Sequence, residues 1–278
     1  MKITVLIENR ASGELCCEHG LSIYIEHYGK NYLLDTGASN TFMKNARKMQ
    51  ISLADVDAAF LSHAHHDHSG GYGGFFEENK KAKVYLREHA KEACYSKVGP
   101  ISRYIGIPEG LLAAHPERFC FLNGDYQVEQ GVWLITHKSG HLAERGKRAH
   151  MYRKVNGRFQ ADDFSHEQSL VFETEKGLIV LNSCSHGGIV NIVEDVKDTF
   201  DGREVYAVIG GFHLMGLGGA KTIAVSKEEV IEIGQTLLQL GVQQIYTGHC
   251  TGEPAIRILK EKFGACIHDL CTGTVIEF

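Results

Sequence analysis

Leu61-Ser62-His63-Ala64-His65-His66-Asp67-His68-Ser69-Gly70-Gly71 places four histidines and one aspartate within six consecutive positions. It follows an apolar run, Ala58-Ala59-Phe60-Leu61, that reads as a buried strand. Imidazole nitrogen and carboxylate oxygen form a donor set suited to zinc, with manganese or iron as alternatives. Gly70-Gly71 gives a tight turn after the strand, so the donors are expected on a loop rather than inside a helix. On an extended or looped backbone His63 and His65 point the same way, while Asp67 and His68 come round from the next turn. Two such donor pairs suit two neighbouring divalent metals better than one. A histidine-rich tail that binds metal adventitiously would neither follow a buried strand nor end in a Gly-Gly turn.

The rest of the chain fits a soluble globular protein. At 278 residues, 43% apolar and 23% charged, it is long enough to bury a sizeable core. A net charge of −5 argues against a dominant nucleic-acid-binding surface, so nucleic acid is not an expected partner. No apolar run approaches membrane-spanning length, and Met1 to Glu8 reads as a short strand rather than a signal peptide. The expected location is therefore the cytoplasm, with no membrane partner. Whether the chain forms a homo-oligomer stays open. The eight cysteines include no C-x-x-C pair, and most are expected to be buried thiols rather than a disulfide framework.

Strands are expected at Lys2 to Ile7, then as a hairpin through Gly29-Lys30, whose second arm ends in Asp35-Thr36-Gly37. A helix is expected over 41 to 50 and a strand over Lys83 to Arg87. From about 94 to 130 the strand rhythm fades, and Pro100, Pro108 and Pro116 fall there. This suggests an insertion or cap, taken to extend over about 94–160 within a single domain spanning 1–278. The segment 138–158 is rich in lysine and arginine, and reads either as a solvated loop or hairpin or as an anion site. The second half alternates strands and helices, with a helix over Ile189 to Thr199 and another started by Ser226 as N-cap.

One device recurs at 63–71, 183–188, 210–213 and 248–252: an apolar strand stops, a histidine appears, and glycines turn the chain. In α/β architectures strand ends converge where sites assemble, which makes His186 and His249 candidate ligands. For His213 both metal contact and substrate binding stay open.

These residues resemble the metallo-β-lactamase superfamily. Its H-x-H-x-D-H signature is matched by His63-Ala64-His65-His66-Asp67-His68, and its early acid-glycine turn by Leu34-Asp35-Thr36-Gly37. The resemblance implies an α/β fold, a four-layer αββα sandwich, with a dinuclear metal site. It also implies His63 and His65 on the first metal, Asp67, His68 and His249 on the second, and Asp35 behind them fixing a ligand's tautomer. More narrowly, Glu18-His19-Gly20-Leu21-Ser22, Cys184-Ser185-His186-Gly187-Gly188 and Thr247-Gly248-His249-Cys250-Thr251-Gly252 are similar to one branch. That branch comprises hydrolases like 7,8-dihydropterin-6-methyl-4-(β-D-ribofuranosyl)aminobenzene-5'-phosphate synthase, related to methanopterin biosynthesis.

The chain departs from the superfamily pattern twice. The third histidine of the first metal has three candidates, His141, His166 and His186; His186 is the expectation and His166 the alternative. Where the family has a bridging acid this chain has Ser183-Cys184, so Cys184 is either a thiolate ligand or a buried thiol. The implied activity is hydrolysis by a hydroxide activated between two divalent ions, zinc expected, on a small anionic substrate. A phosphoester, lactone or related ester, pterin-linked or otherwise, fits this chemistry. Asp67 would handle the proton and His213 would assist. The competing readings are a metal-dependent nuclease or phosphodiesterase, and a non-catalytic metal- or ligand-binding protein of the same fold.

Overall fold

The computed structural model describes residues 1–278 and divides into two compact units. The first comprises Met1–Asn123, Gly140–Gln168 and Cys271–Phe278; the second comprises Gly124–Ser139 and Ser169–Leu270.

In the first unit a seven-stranded sheet runs Val275–Glu277, Lys2–Ile7, Ser22–His27, Lys30–Leu34, Ala58–Phe60, Lys83–Arg87, Phe119–Leu122. Pairing is antiparallel as far as Lys30–Leu34 and parallel beyond it, with Leu34 opposite Phe60 and Phe60 opposite Tyr85. Parallel strands are covered on both faces, and all three residues of Ala58–Phe60 are buried, which is why that run shows no alternation. Phe42, Met43 and Ala46 of helix Thr41–Lys48 pack into this core with Leu6, Leu33 and Ala59, as do Tyr72 and Phe75 of helix Tyr72–Glu78.

The second unit holds a seven-stranded sheet in the order Ile267–Asp269, Gln244–Thr247, Val205–Gly210, Gly177–Leu181, Gln168–Thr174, Val132–Thr136, Tyr126–Glu129. Its first four strands are parallel. Such strands need crossover connections, supplied by helices Ile189–Thr199, Lys227–Gln239 and Glu253–Phe263. Helix Ile189–Thr199 buries Ile189, Ile192, Val193 and Val196, the apolar spacing visible in its sequence. Ser226 caps the next helix, its Oγ accepting from the Glu229 amide at 3.1 Å. No helix is long and apolar enough to cross a membrane.

The structure corrects one expectation here and refines another. Four strands lie between 93 and 130, where strand rhythm was expected to fade. Ala93–Val98 and Ile101–Tyr104 form a hairpin in a separate four-stranded sheet with Met151–Val155 and Arg158–Ala161, while Phe119–Leu122 joins the large sheet. That hairpin is largely exposed or half-buried, so no buried face imposed an alternation to read. The basic segment is a helix, Leu142–Arg148, followed by a hairpin. Within it Arg153 is buried in ion pairs to Glu92, Asp162 and Asp163.

Candidate metal centre

The turn Asp35-Thr36-Gly37 and the segment Ser62–Gly71 are built against each other in the first unit. Thr36 N–H donates to the His68 carbonyl at 2.8 Å, and Gly70 N–H donates to the Gly37 carbonyl at 2.9 Å. A side chain at Gly70 would place its Cβ 2.1 Å from the Ala38 carbonyl oxygen, so this approach requires glycine. His66–Ser69 forms one helical turn, where a loop was expected. That turn swings Asp67 and His68 away from the bend over Ser62–Ala64, where His65 N–H donates to the His63 carbonyl at 2.9 Å.

Three imidazoles gather there. The ring centroid of His63 lies 4.5 Å from that of His65 and 4.3 Å from that of His68, and all three residues are buried. Hydrogen bonds set their orientation. Asp35, held at φ +60°, accepts from the Ser62 amide at 2.7 Å, the Ser62 hydroxyl at 2.6 Å and His68 Nδ1 at 2.7 Å. With its one proton given to Asp35, the Ser62 oxygen accepts from His63 Nδ1 at 2.8 Å. A single carboxylate thus orients two rings, turning Nδ1 inward and Nε2 outward on both His63 and His68.

Electrostatics favour a cation at the same place. His68 lies between two carboxylates, Asp35 at Nδ1 and Asp67 3.5 Å from Nε2. Burial opposes the charged ring, but the Asp67 and Asp35 carboxylates together raise its pKa to about 10. His65 goes the other way: burial, reinforced by the charge of His166, lowers its pKa to about 3 and keeps it neutral, as a ligand must be. Asp67 also pairs with His19 at 3.3 Å. Imidazole nitrogens with defined tautomers around a carboxylate pair that holds a positive charge fit a divalent cation.

His166, also in this unit, is buried 5.4 Å from the His65 ring. Its Nδ1 accepts from the Ala64 amide at 3.2 Å and its Nε2 bonds Asp162 at 3.1 Å, so both ring nitrogens are engaged. The third candidate, His141, has an 85% exposed side chain.

The other expected residues lie in the second unit. Cys184 and His186 follow strand Gly177–Leu181, His213 follows Val205–Gly210, and His249 follows Gln244–Thr247. The His186 and His213 rings are 4.3 Å apart, and His213 Nδ1 is buried without a hydrogen-bond partner. Donor atoms of Cys184, His249 and Cys250 lie within 4.8 Å of one another. Burial pushes the Cys250 thiol up, but hydrogen bonding with Cys184 and His213 and the charge of His249 bring it well below the ordinary thiol range. Backbone shape aims these residues: Ser185, His213 and His249 take φ of +53°, +52° and +48°, a left-handed conformation uncommon outside glycine.

Sequence reasoning overlooked Ser62, whose place between the strand and His63 was its only signal. His19 and Cys250 were quoted within motifs but given no role. Glu18 closes its loop, accepting from the amides of Ala38 and Ser39 at 3.0 Å each.

The model of the metallo-beta-lactamase superfamily matches residues 17–155. The chain belongs to that superfamily and has its fold, the class expected from the motif order. It is 30% identical, over 100% of its length and 97% of the relative's, to 7,8-dihydropterin-6-methyl-4-(beta-D-ribofuranosyl)-aminobenzene-5'-phosphate synthase of Methanocaldococcus jannaschii. It is also similar to the solved structure of Tm1679, a metal-dependent hydrolase of the beta-lactamase superfamily. There the TM-score is 0.83 and the identity 32%, covering 100% of this chain and 99% of that one. Human tRNase Z, short form, matches at TM-score 0.55 and 12% identity over 100% and 99% of the two chains, a likeness of fold alone.

Proposed function

We propose that this protein is a metal-dependent hydrolase of a small anionic ester, a phosphoester or lactone, with a pterin-linked phosphate as the favoured class. The observation that carries the reading is the Asp35–Ser62 network, which presents His63 and His68 as oriented ligands beside His65 and Asp67. The pterin-linked class is supported by the name of the Methanocaldococcus relative, which is that of a synthase.

His63, His65, Asp67 and His68 would hold metal, with His186, His249 and Cys184 as further ligands in the family's pattern. His186 is preferred over His166 because both nitrogens of His166 are already committed. Two divalent ions, zinc by preference, would supply Lewis acidity, acidifying a water and stabilising negative charge on the substrate. The chain's own residues do the rest. Asp35 and Ser62 keep the ligand imidazoles aligned, each held at its Nδ1 edge. Asp67, bridged between His19 and His68, is placed to orient a proton. His213, with a buried unpartnered nitrogen, is assigned to a polar group of the substrate.

Metal analysis of the purified protein, combined with a panel of phosphodiesters, lactones and pterin phosphates, tests this. His65→Ala is expected to lose both bound metal and turnover. Full turnover with no bound metal would overturn the proposal.

A further inference from the structure

We propose that Cys184, Cys250 and His249 form a thiolate-rich half-site in which Cys250 is a direct ligand to a thiophilic divalent cation. The inference rests on the metal-dependent reading above and adds a second thiolate to it, together with a preference among metals.

The three residues are each 3% exposed, and their donor atoms lie within 4.8 Å of one another. A tetrahedral zinc with sulfur and imidazole ligands sets its donors roughly 3.3–3.9 Å apart, so closure asks for about an ångström of side-chain movement. The position of the Cys250 sulfur is built into the backbone. A Cβ on Gly211 would come within 2.5 Å of it, so the thiol occupies space that only glycine leaves. The 3-10 turn His249–Thr251 that carries it is pinned on its far side. Thr251 Oγ1 accepts from the Phe212 amide at 2.9 Å and meets Thr247 Oγ1 at 2.6 Å, while Thr247 Oγ1 bonds the Gly210 carbonyl at 2.8 Å. Cys250 Sγ itself lies 3.6 Å from the Cys184 carbonyl oxygen, turned toward the other thiol's residue. An inert core cysteine packs among apolar groups; this one faces a thiol and an imidazole.

Two thiolates and an imidazole select zinc, cobalt, cadmium or ferrous iron over manganese and magnesium. Binding forms two metal–sulfur bonds and releases the two thiol protons to solvent, with no change of oxidation state.

The test is cobalt(II) titration of the metal-free full-length protein, followed by bound-cobalt analysis and absorption. Thiolate ligation gives an intense near-ultraviolet sulfur-to-cobalt charge-transfer band. The expected result is such a band in the wild type, about halved in Cys250→Ser and absent in the Cys184→Ser/Cys250→Ser double variant. Cys250→Asp, which keeps a donor in place, should retain the cobalt stoichiometry while losing half the band. Cobalt bound with only visible d–d bands, or a full band in Cys250→Ser, would overturn the inference and leave the hydrolase reading intact. No bound cobalt at all would overturn the hydrolase reading, and this inference with it.

Discussion

In the unit that contains Ser62–Gly71, donors are aimed by side chains: Asp35 and Ser62 grip the Nδ1 edges of His68 and His63. In the unit that contains Cys184, His213 and His249, donors are aimed by backbone, through left-handed residues and glycines at three separate strand ends. The first arrangement is electrostatic and titrates with pH. The second is steric and should respond instead to the addition of a methyl group. Substitutions can therefore be chosen that strike one arrangement and spare the other.

The largest effect is expected from Asp35→Ala. It removes the acceptor for two Ser62 donors and leaves the His68 imidazolium buried without its closest carboxylate. Breaking a buried pair from one side costs about 3–5 kcal/mol, and loss of a ligand's orienting partner weakens metal binding about 10–100-fold. Urea denaturation and metal titration measure both. Unchanged metal affinity would show that the side-chain network does not aim the donors.

The same network can be relaxed by pH in the metal-free protein. His68, at about 10 when folded against 6.5 when unfolded, contributes stability that is complete below about pH 6.5 and lost as pH rises toward 10. His65, at about 3 against 6.5, contributes stability that is complete above about pH 6.5 and lost as pH falls toward 3. Denaturation midpoints should therefore peak near neutrality, and His68→Gln should flatten the alkaline limb alone. An unchanged alkaline limb in that variant would assign it to other groups.

Gly210→Ala strikes the second arrangement. The residue has φ +139°, and an added Cβ would fall 1.9 Å from the Asn182 carbonyl oxygen. Backbone strain and overpacking together cost about 3 kcal/mol. Displacement of the Gly210–His213 segment should also weaken the thiolate signature of Cys250, with the His68-dependent pH limb unchanged. A shift in that limb would show that the two donor sets are not independent.

This contrast also explains what could be read from the sequence. His63 to His68 are contiguous and follow a buried apolar run, so the donor types and their spacing stood together on the page. Asp35 was legible because an acid before glycine ends a strand. Ser62 was not, since a serine carries no signature of the hydrogen bonds that link it to a carboxylate and an imidazole. In the second half, Cys250 adjoins His249, yet its packing against Gly211 depends on a contact 39 residues away, as the Phe212–Thr251 hydrogen bond beside it illustrates. His166 shows the opposite case: a buried histidine beside the cluster, whose bonds to Ala64 and Asp162 no sequence pattern displays. Strands Ala93–Val98 and Ile101–Tyr104 stayed hidden because neither face is consistently buried.

Ser226→Ala should have the smallest effect, and it calibrates the others. Ser226 accepts from the Glu229 amide at the start of helix Lys227–Gln239, and lies in no segment that carries a donor. Loss of such a cap costs about 1 kcal/mol, a modest fall in the urea midpoint. Bound metal and the cobalt spectrum should stay at wild-type levels, because the helix start orients no ligand. If this substitution lowered metal content in proportion to stability, the losses in Gly210→Ala would report general loosening of the second unit. If metal content holds while stability falls, those losses belong to donor geometry, and the backbone-aimed half of the comparison stands on its own measurement.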